Sequence, residues 1–278
     1  MSIDAATPLS TSKSSNFDTI AAPTSEKAAA APTTTSALKQ NPKIVFIHGF
    51  LDRGSVWWRV RDQLRALGLI SETIDLPGMG GVKAAVSDIS LERYADAVSA
   101  LIEQVGAPVV LVGQSMGSQV ADLIATRSPD QVAGLVLLAP VPLGGTALPD
   151  EVVGPLRRLG GDRDGLSGLR NMFSFSLDEE QSAELLSSAL LVEPQNVVRI
   201  VDTWNVGHPS GREPARYNGP VLVIRGQADG FTTSELAGVT LARYPQARLL
   251  EIEHAGHWPH VEQSTKVAEA VADFASNI

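Results

Sequence analysis

Six apolar runs of strand length mark the chain from residue 43 onward: Lys43–Ile47, Leu69–Asp75, Val109–Val112, Leu135–Leu138, Val221–Ile224 and Ala247–Ile252. Between them lie stretches with apolar residues at helical spacing, such as Trp57–Leu67, Leu91–Val105 and Val120–Arg127. Near-continuous apolar runs are the mark of strands buried on both faces, and helices alternating with them imply right-handed crossovers. The pattern predicts an α/β fold whose parallel sheet is covered by helices on both sides. In such sheets the chemistry collects at the carboxyl ends of the strands.

Two regions break the alternation. Residues 145–216 hold no strand-like run, only short helical patterns such as Glu151–Arg158 and Asp178–Leu191 among loops rich in Gly, Pro and charge. They read as a helical cap inserted into a core of 41–144 and 217–278. Residues 1–40 are dominated by Ala, Ser, Thr and Pro and show no sustained period. That composition predicts a disordered tail, because it cannot bury enough apolar surface to order itself. It lacks the continuous apolar stretch of a secretory signal and the arginines of a transit peptide, so a cytoplasmic location is expected.

Composition narrows the choices. A net charge of −9 argues against a nucleic-acid or anionic-membrane partner. No apolar run approaches the ~18 residues that would span a bilayer. The chain has no cysteine, which excludes disulfides, thiol nucleophiles and cysteine-ligated zinc.

Chemistry enters with Gly113-Gln114-Ser115-Met116-Gly117, set between the apolar run Pro108–Val112 and a helical pattern that begins at Ser118. A serine at a sharp strand-to-helix turn, flanked by glycines two residues away on each side, has the form of a nucleophile elbow. The serine hydroxyl then needs a base, and the base needs an orienting acid. Five histidines are available: His48 after the first strand, His208 in the insertion, and His254, His257 and His260 after the last. Asp229 lies just past the penultimate strand, on the correct edge for the acid. The spacing His254-x-x-His257-x-x-His260 is also a conceivable metal set, but zinc would want a defined carboxylate or water besides.

Four motifs in order then resemble the α/β-hydrolase superfamily: His48-Gly49, the elbow at Ser115, the Gly-x-x-Asp turn ending at Asp229, and Gly256-His257-Trp258-Pro259. Asp75-Leu76-Pro77-Gly78-Met79-Gly80 resembles a further loop of that family. The resemblance runs from about residue 42 to the end. It implies an α/β-hydrolase fold and the triad Ser115, Asp229 and His257, with His48 shaping a loop and not acting as the base. Backbone N–H groups of Phe50 and Met116 would form the oxyanion hole. Gln114 stands where the family often has histidine. The hairpin that often precedes the family's first parallel strand is replaced by the tail, so about six parallel strands are expected. Asp122 reads as a solvated or capping group, and Glu251, Glu253 and Asp52 as surface charges, with Asp52 close enough to the mouth to touch a polar substrate.

The function implied is a serine hydrolase cleaving a carboxylic ester or lactone through an acyl-enzyme, with no cofactor and no metal. The expected pocket is apolar, lined by Leu51, Pro140, Val141, Phe173, Phe175, Trp204, Phe231 and Trp258, and suits a small apolar ester-type substrate. The residues leave two alternatives open. One is amide, carbon–carbon bond or perhydrolysis chemistry on the same triad; the other is a non-catalytic ligand receptor on the same fold.

Overall fold

The computed structural model describes residues 42–106 and 108–278, so the reading of residues 1–40 as a tail falls outside the described residues. Six strands form one sheet: β1 (Ile44–Ile47), β2 (Ser71–Ile74), β3 (Val109–Gln114), β4 (Val132–Leu138), β5 (Val221–Gly226) and β6 (Arg248–Ile252). Their order is β2-β1-β3-β4-β5-β6, and every neighbouring pair is parallel. The strands of β1, β3 and β5 are buried throughout, as their unbroken apolar runs require. At one edge, β6 pairs on a single side and stays mostly exposed, which explains its mixed sequence.

Alternation along β1 sorts the helices. Ile44 and Phe46 face a cluster that includes Trp57, Val60 and Leu64 around helix α1 (Trp58–Ala66) and Val267, Val271 and Phe274 of the last helix. Val45 and Ile47 face the other way, toward α2 (Leu91–Val105) and α3 (Met116–Arg127). Ser90 caps α2 by accepting the Arg93 N–H at 3.2 Å.

Between β4 and β5 the chain forms four helices: α4 (Asp150–Arg157), α5 (Arg163–Phe173), α6 (Glu179–Leu190) and α7 (Pro194–Val206). Their starts are written locally. Asp162 caps α5, Asp178 and Gln181 form a capping box on α6, and Pro194 opens α7. In this layer α4 packs on α7 and α5 on α6. The layer is also tied to the segment leading into α1 and to α1 itself by ion pairs, Arg53 to Glu184 and Arg59 to Asp178. After β5 come α8 (Ser234–Arg243), the short α9 (Pro259–Glu262) and α10 (Ser264–Ser276).

One expectation fails here. Asp122 is not solvated: it is buried on α3, paired with Arg243 of α8 at 3.0 Å and accepting the Tyr244 hydroxyl at 2.7 Å. Its partners come from about 120 residues away, so nothing local marked it. The pair joins α3 to the helix beyond β5.

The positions of β1, β3 and α3 depend on a close approach at Gly117. A Cβ there would lie 2.5 Å from the His48 carbonyl oxygen and 2.6 Å from that of Ile47. Gly117→Ala should therefore lower stability by about 2–3 kcal/mol or prevent folding. Urea unfolding checks this, and an unchanged midpoint would contradict the close approach.

Candidate active site

Ser115 sits between the end of β3 and the first residue of α3. Its backbone is at φ 52, ψ −120, a conformation that costs roughly 1–3 kcal/mol for a residue with a side chain. The surroundings hold it there. Its N–H donates to the Leu138 carbonyl of β4 at 2.9 Å, and the Ser118 hydroxyl donates back to its carbonyl at 2.5 Å. Gly113 must be glycine as well, since a Cβ would overlap the Gly117 carbonyl. Pairing of Gly113 with Ile47 of β1 and Leu137 of β4 places the turn amid three strand ends.

Loops after β5 and β6 bring the other two groups. His257 Nε2 lies 2.9 Å from Ser115 Oγ, and His257 Nδ1 lies 2.9 Å from Asp229 Oδ2. These partners define the tautomer: Nδ1 carries the proton toward the carboxylate and Nε2 accepts from the serine. Asp229 Oδ1 in turn accepts the N–H groups of Phe231 and Thr232, each at 2.8 Å. Burial pushes the Asp229 carboxyl up, but the neighbouring His257 and the two N–H donors outweigh it and hold the group below its ordinary range. The His257 backbone is fixed too. Its N–H donates to the Phe173 carbonyl at 2.7 Å, and its carbonyl accepts from Gln114 Nε2 at 3.0 Å.

Two N–H groups are expected to serve the hydroxyl, and Phe50 lines the same cavity as Ser115. That of Met116 belongs to the first residue of α3, where helical amides lack intrahelical partners and the helix dipole favours negative charge. That of Phe50 has no hydrogen-bond partner among the described residues. His48 braces the loop that carries it, donating from Nδ1 to the Gly49 carbonyl and accepting the Leu76 N–H at Nε2. Burial lowers the His48 pKa, which keeps the ring neutral as the accepting nitrogen requires.

The sequence matches the profile of the alpha/beta hydrolase family over residues 44–270. The chain belongs to this family. Among relatives, it is 27% identical to mouse (Mus musculus) sn-1-specific diacylglycerol lipase ABHD11 over 255 residues, covering 84% of this chain and 80% of that one. It is 26% identical to a pyrethroid hydrolase of Sphingobium wenxiniae, covering 84% and 87%. A solved esterase from Exiguobacterium antarcticum superposes with a TM-score of 0.77 at 19% identity, covering 84% and 92%, a likeness of fold.

In this hydrolase the cavity over Ser115 has a volume of about 450 Å³. Val141, Phe173, Trp204, Phe231 and Trp258 line it, with Phe50 beside them. Leu51, Pro140 and Phe175 do not. The positive φ of Leu51 turns its side chain into the core. Pro140 is buried directly after Ala139, whose positive φ bends the chain. Phe175 lies 53% exposed against His254. The helical layer between β4 and β5 contributes more than foreseen, since Val152, Pro155, Leu156, Leu159, Leu169 and Met172 complete the apolar wall.

Asp52 is also corrected. It is fully buried, paired with Arg170 at 2.9 Å and accepting the Trp258 indole N–H at 3.1 Å. The sequence carried a signal for Arg170: on α5 it lies four residues after Leu166 and three before Phe173, on the apolar stripe. Glu262 was missed without such a signal. Its carboxylate accepts the N–H groups of Phe175, Ser176, Gly256 and Trp258, stitching the helical layer to the His257 loop. The remaining histidines do not join the site. His254 is exposed and His260 is buried against Trp57. Among the described residues no His, Cys, Asp or Glu cluster could hold a metal ion, and no helix is long and apolar enough to cross a membrane.

Because the folded Asp229 carboxyl titrates below its ordinary range, the unfolded chain binds that proton first. Its stabilisation is complete above about pH 4 and is lost as pH falls through the lower folded value. Urea unfolding on the acid side should give Asp229→Asn a shallower loss of stability than the wild type. Equal acid slopes would show that Asp229 is not held in this way.

Proposed function

We propose that the chain is a serine hydrolase that cleaves a carboxylic ester or lactone through an acyl-enzyme. The observation that carries this reading is the continuous hydrogen-bonded line from Ser115 Oγ through His257 to Asp229, with both links at 2.9 Å. Ser115 Oγ attacks the carbonyl carbon while His257 Nε2 takes its proton. Asp229 keeps the imidazole in the tautomer that can accept it and stabilises the cation that forms. Negative charge developing on the carbonyl oxygen meets the N–H groups of Phe50 and Met116; donors of this kind are typically worth about 3–4 kcal/mol in the transition state. Collapse of the tetrahedral intermediate expels the alkoxide, which takes the proton from His257. Water, activated by the same imidazole, then hydrolyses the acyl-serine and restores the hydroxyl.

The cavity supports an uncharged substrate. Its walls are almost wholly apolar, and the two charged side chains among them, Asp52 and Arg170, neutralise each other. An anionic acid portion would find no free cation there, whereas an apolar acyl or alcohol group would displace water from apolar surface. The names of the relatives, a lipase and a pyrethroid hydrolase, point the same way. We assign residues 145–216 the role of the cap that selects the substrate.

A panel of 4-nitrophenyl esters and lactones with a fluorophosphonate probe tests the reading. The probe should label Ser115, and Ser115→Ala should lose turnover by roughly 10³-fold or more while keeping its fold. A wild-type protein that is folded yet neither labelled nor active on any ester would contradict it.

A further inference from the structure

Gly49, Phe50, Leu51 and Asp52 form a tight turn, closed by the Asp52 N–H donating to the Gly49 carbonyl at 3.3 Å. Its third residue is Leu51, held at φ 57 where glycine is the usual occupant. A leucine there carries backbone strain, so the turn needs external support. The support comes from the cap. Arg170 Nη2 donates to the Leu51 carbonyl at 3.1 Å, approaches the Phe50 carbonyl at 3.4 Å, and pairs with the Asp52 carboxylate at 2.9 Å. One guanidinium thus grips the peptide units on both sides of the strained residue.

The same cation lies over the Trp258 ring, 4.6 Å from its centroid, while the Trp258 indole N–H donates to Asp52. Trp258 follows His257 directly and packs edge-on against its imidazole at 5.1 Å. Both charged partners are almost completely buried, at 3% and 0% exposure. A desolvated ion pair gives little net stability compared with apolar packing, so its presence calls for another explanation. Its geometry offers one: a single nitrogen, Nη2, reaches both carbonyls and the carboxylate while the planar guanidinium lies on the Trp258 ring, an arrangement that a leucine or methionine cannot make.

We propose that Arg170 is a positioning residue for the oxyanion hole, holding the Phe50 turn at the angle from which its N–H meets the developing charge. This inference rests on the hydrolase reading. Arg170 acts through the turn and through Trp258 and makes no bond to the reacting atoms. A substrate-binding arginine would be free to pair with a carboxylate on the ligand; this one is already neutralised by Asp52. The cap therefore contributes to catalysis as well as to the shape of the pocket.

Steady-state kinetics on the full chain with 4-nitrophenyl butyrate, together with inhibition by a trifluoromethyl ketone of matching acyl shape, test the assignment. Arg170→Met should lower kcat by roughly 30- to 100-fold with little change in KM, because the lost interaction matters only in the transition state. Affinity for the ketone, whose adduct carries the oxyanion, should fall in parallel with kcat/KM. Arg170→Lys keeps the charge without the planar group that lies on Trp258 and should lie between the two. Should Arg170→Met fail to fold, Asp52→Asn retains shape and the Trp258 acceptor, and it should lower kcat and ketone affinity together. A rise in KM at constant kcat would overturn the proposal and make Arg170 a substrate-binding group. So would a fall in thermal stability with kcat and ketone affinity untouched in the variants that fold. Ser115→Ala in the same assay separates the two readings. Turnover that survives it sinks the hydrolase assignment, whereas turnover that needs Ser115 but ignores Arg170 and Asp52 sinks this one.

Discussion

The site depends on the contact of α3 with the carboxyl end of β1. Without a side chain at Gly117, the helix starts close against the Ile47 and His48 carbonyls. That contact puts the first amide of α3 beside the turn that carries Phe50, and it forces Ser115 into a backbone conformation few residues adopt. The strain of about 1–3 kcal/mol is tolerated because buried strands on either side fix both ends of the turn. A hydroxyl presented this way stands clear of the sheet, within reach of loops after β5 and β6. The chemistry thus follows from a packing constraint that two glycines make possible.

The helical layer between β4 and β5 is built into this arrangement at three points. Arg170 holds the Phe50 turn, the Phe173 carbonyl accepts the His257 N–H, and Glu262 gathers amides from both the layer and the His257 loop. Burial raises the Glu262 pKa despite those four donors, so the carboxylate is the less comfortable partner in its own network. Residues 170–176 therefore brace the machinery they cover. Apolar side chains such as Leu156, Leu159 and Leu169 on the same layer close the cavity. One piece of chain thus serves both the shape of the pocket and the geometry of the reacting groups.

Much of this was legible in the sequence because it is local. Strand runs, helical patterns such as Asp178–Leu191, and glycines flanking Ser115 each act within a few residues, so short patterns reveal them. The line from Ser115 to His257 to Asp229 was implied by the four motifs that resemble the family, and the shared carboxyl edge of a parallel sheet explains how their loops meet. Burial of the two acids was not legible. Asp52 and Asp122 look like surface residues until Arg170 and Arg243, each about 120 residues away, come to meet them. Nor could the direction of Leu51 be read, because a positive φ at a non-glycine residue reverses the side chain that simple alternation would send into the pocket.

A crystal structure of the protein after reaction with a fluorophosphonate would test the central claim most directly, since the adduct mimics the tetrahedral intermediate on the serine. The account predicts a phosphorus–oxygen bond at Ser115 Oγ with the phosphoryl oxygen about 2.7–3.1 Å from both the Phe50 and Met116 backbone nitrogens. An adduct on another residue, or a phosphoryl oxygen turned away from these two donors, would contradict it.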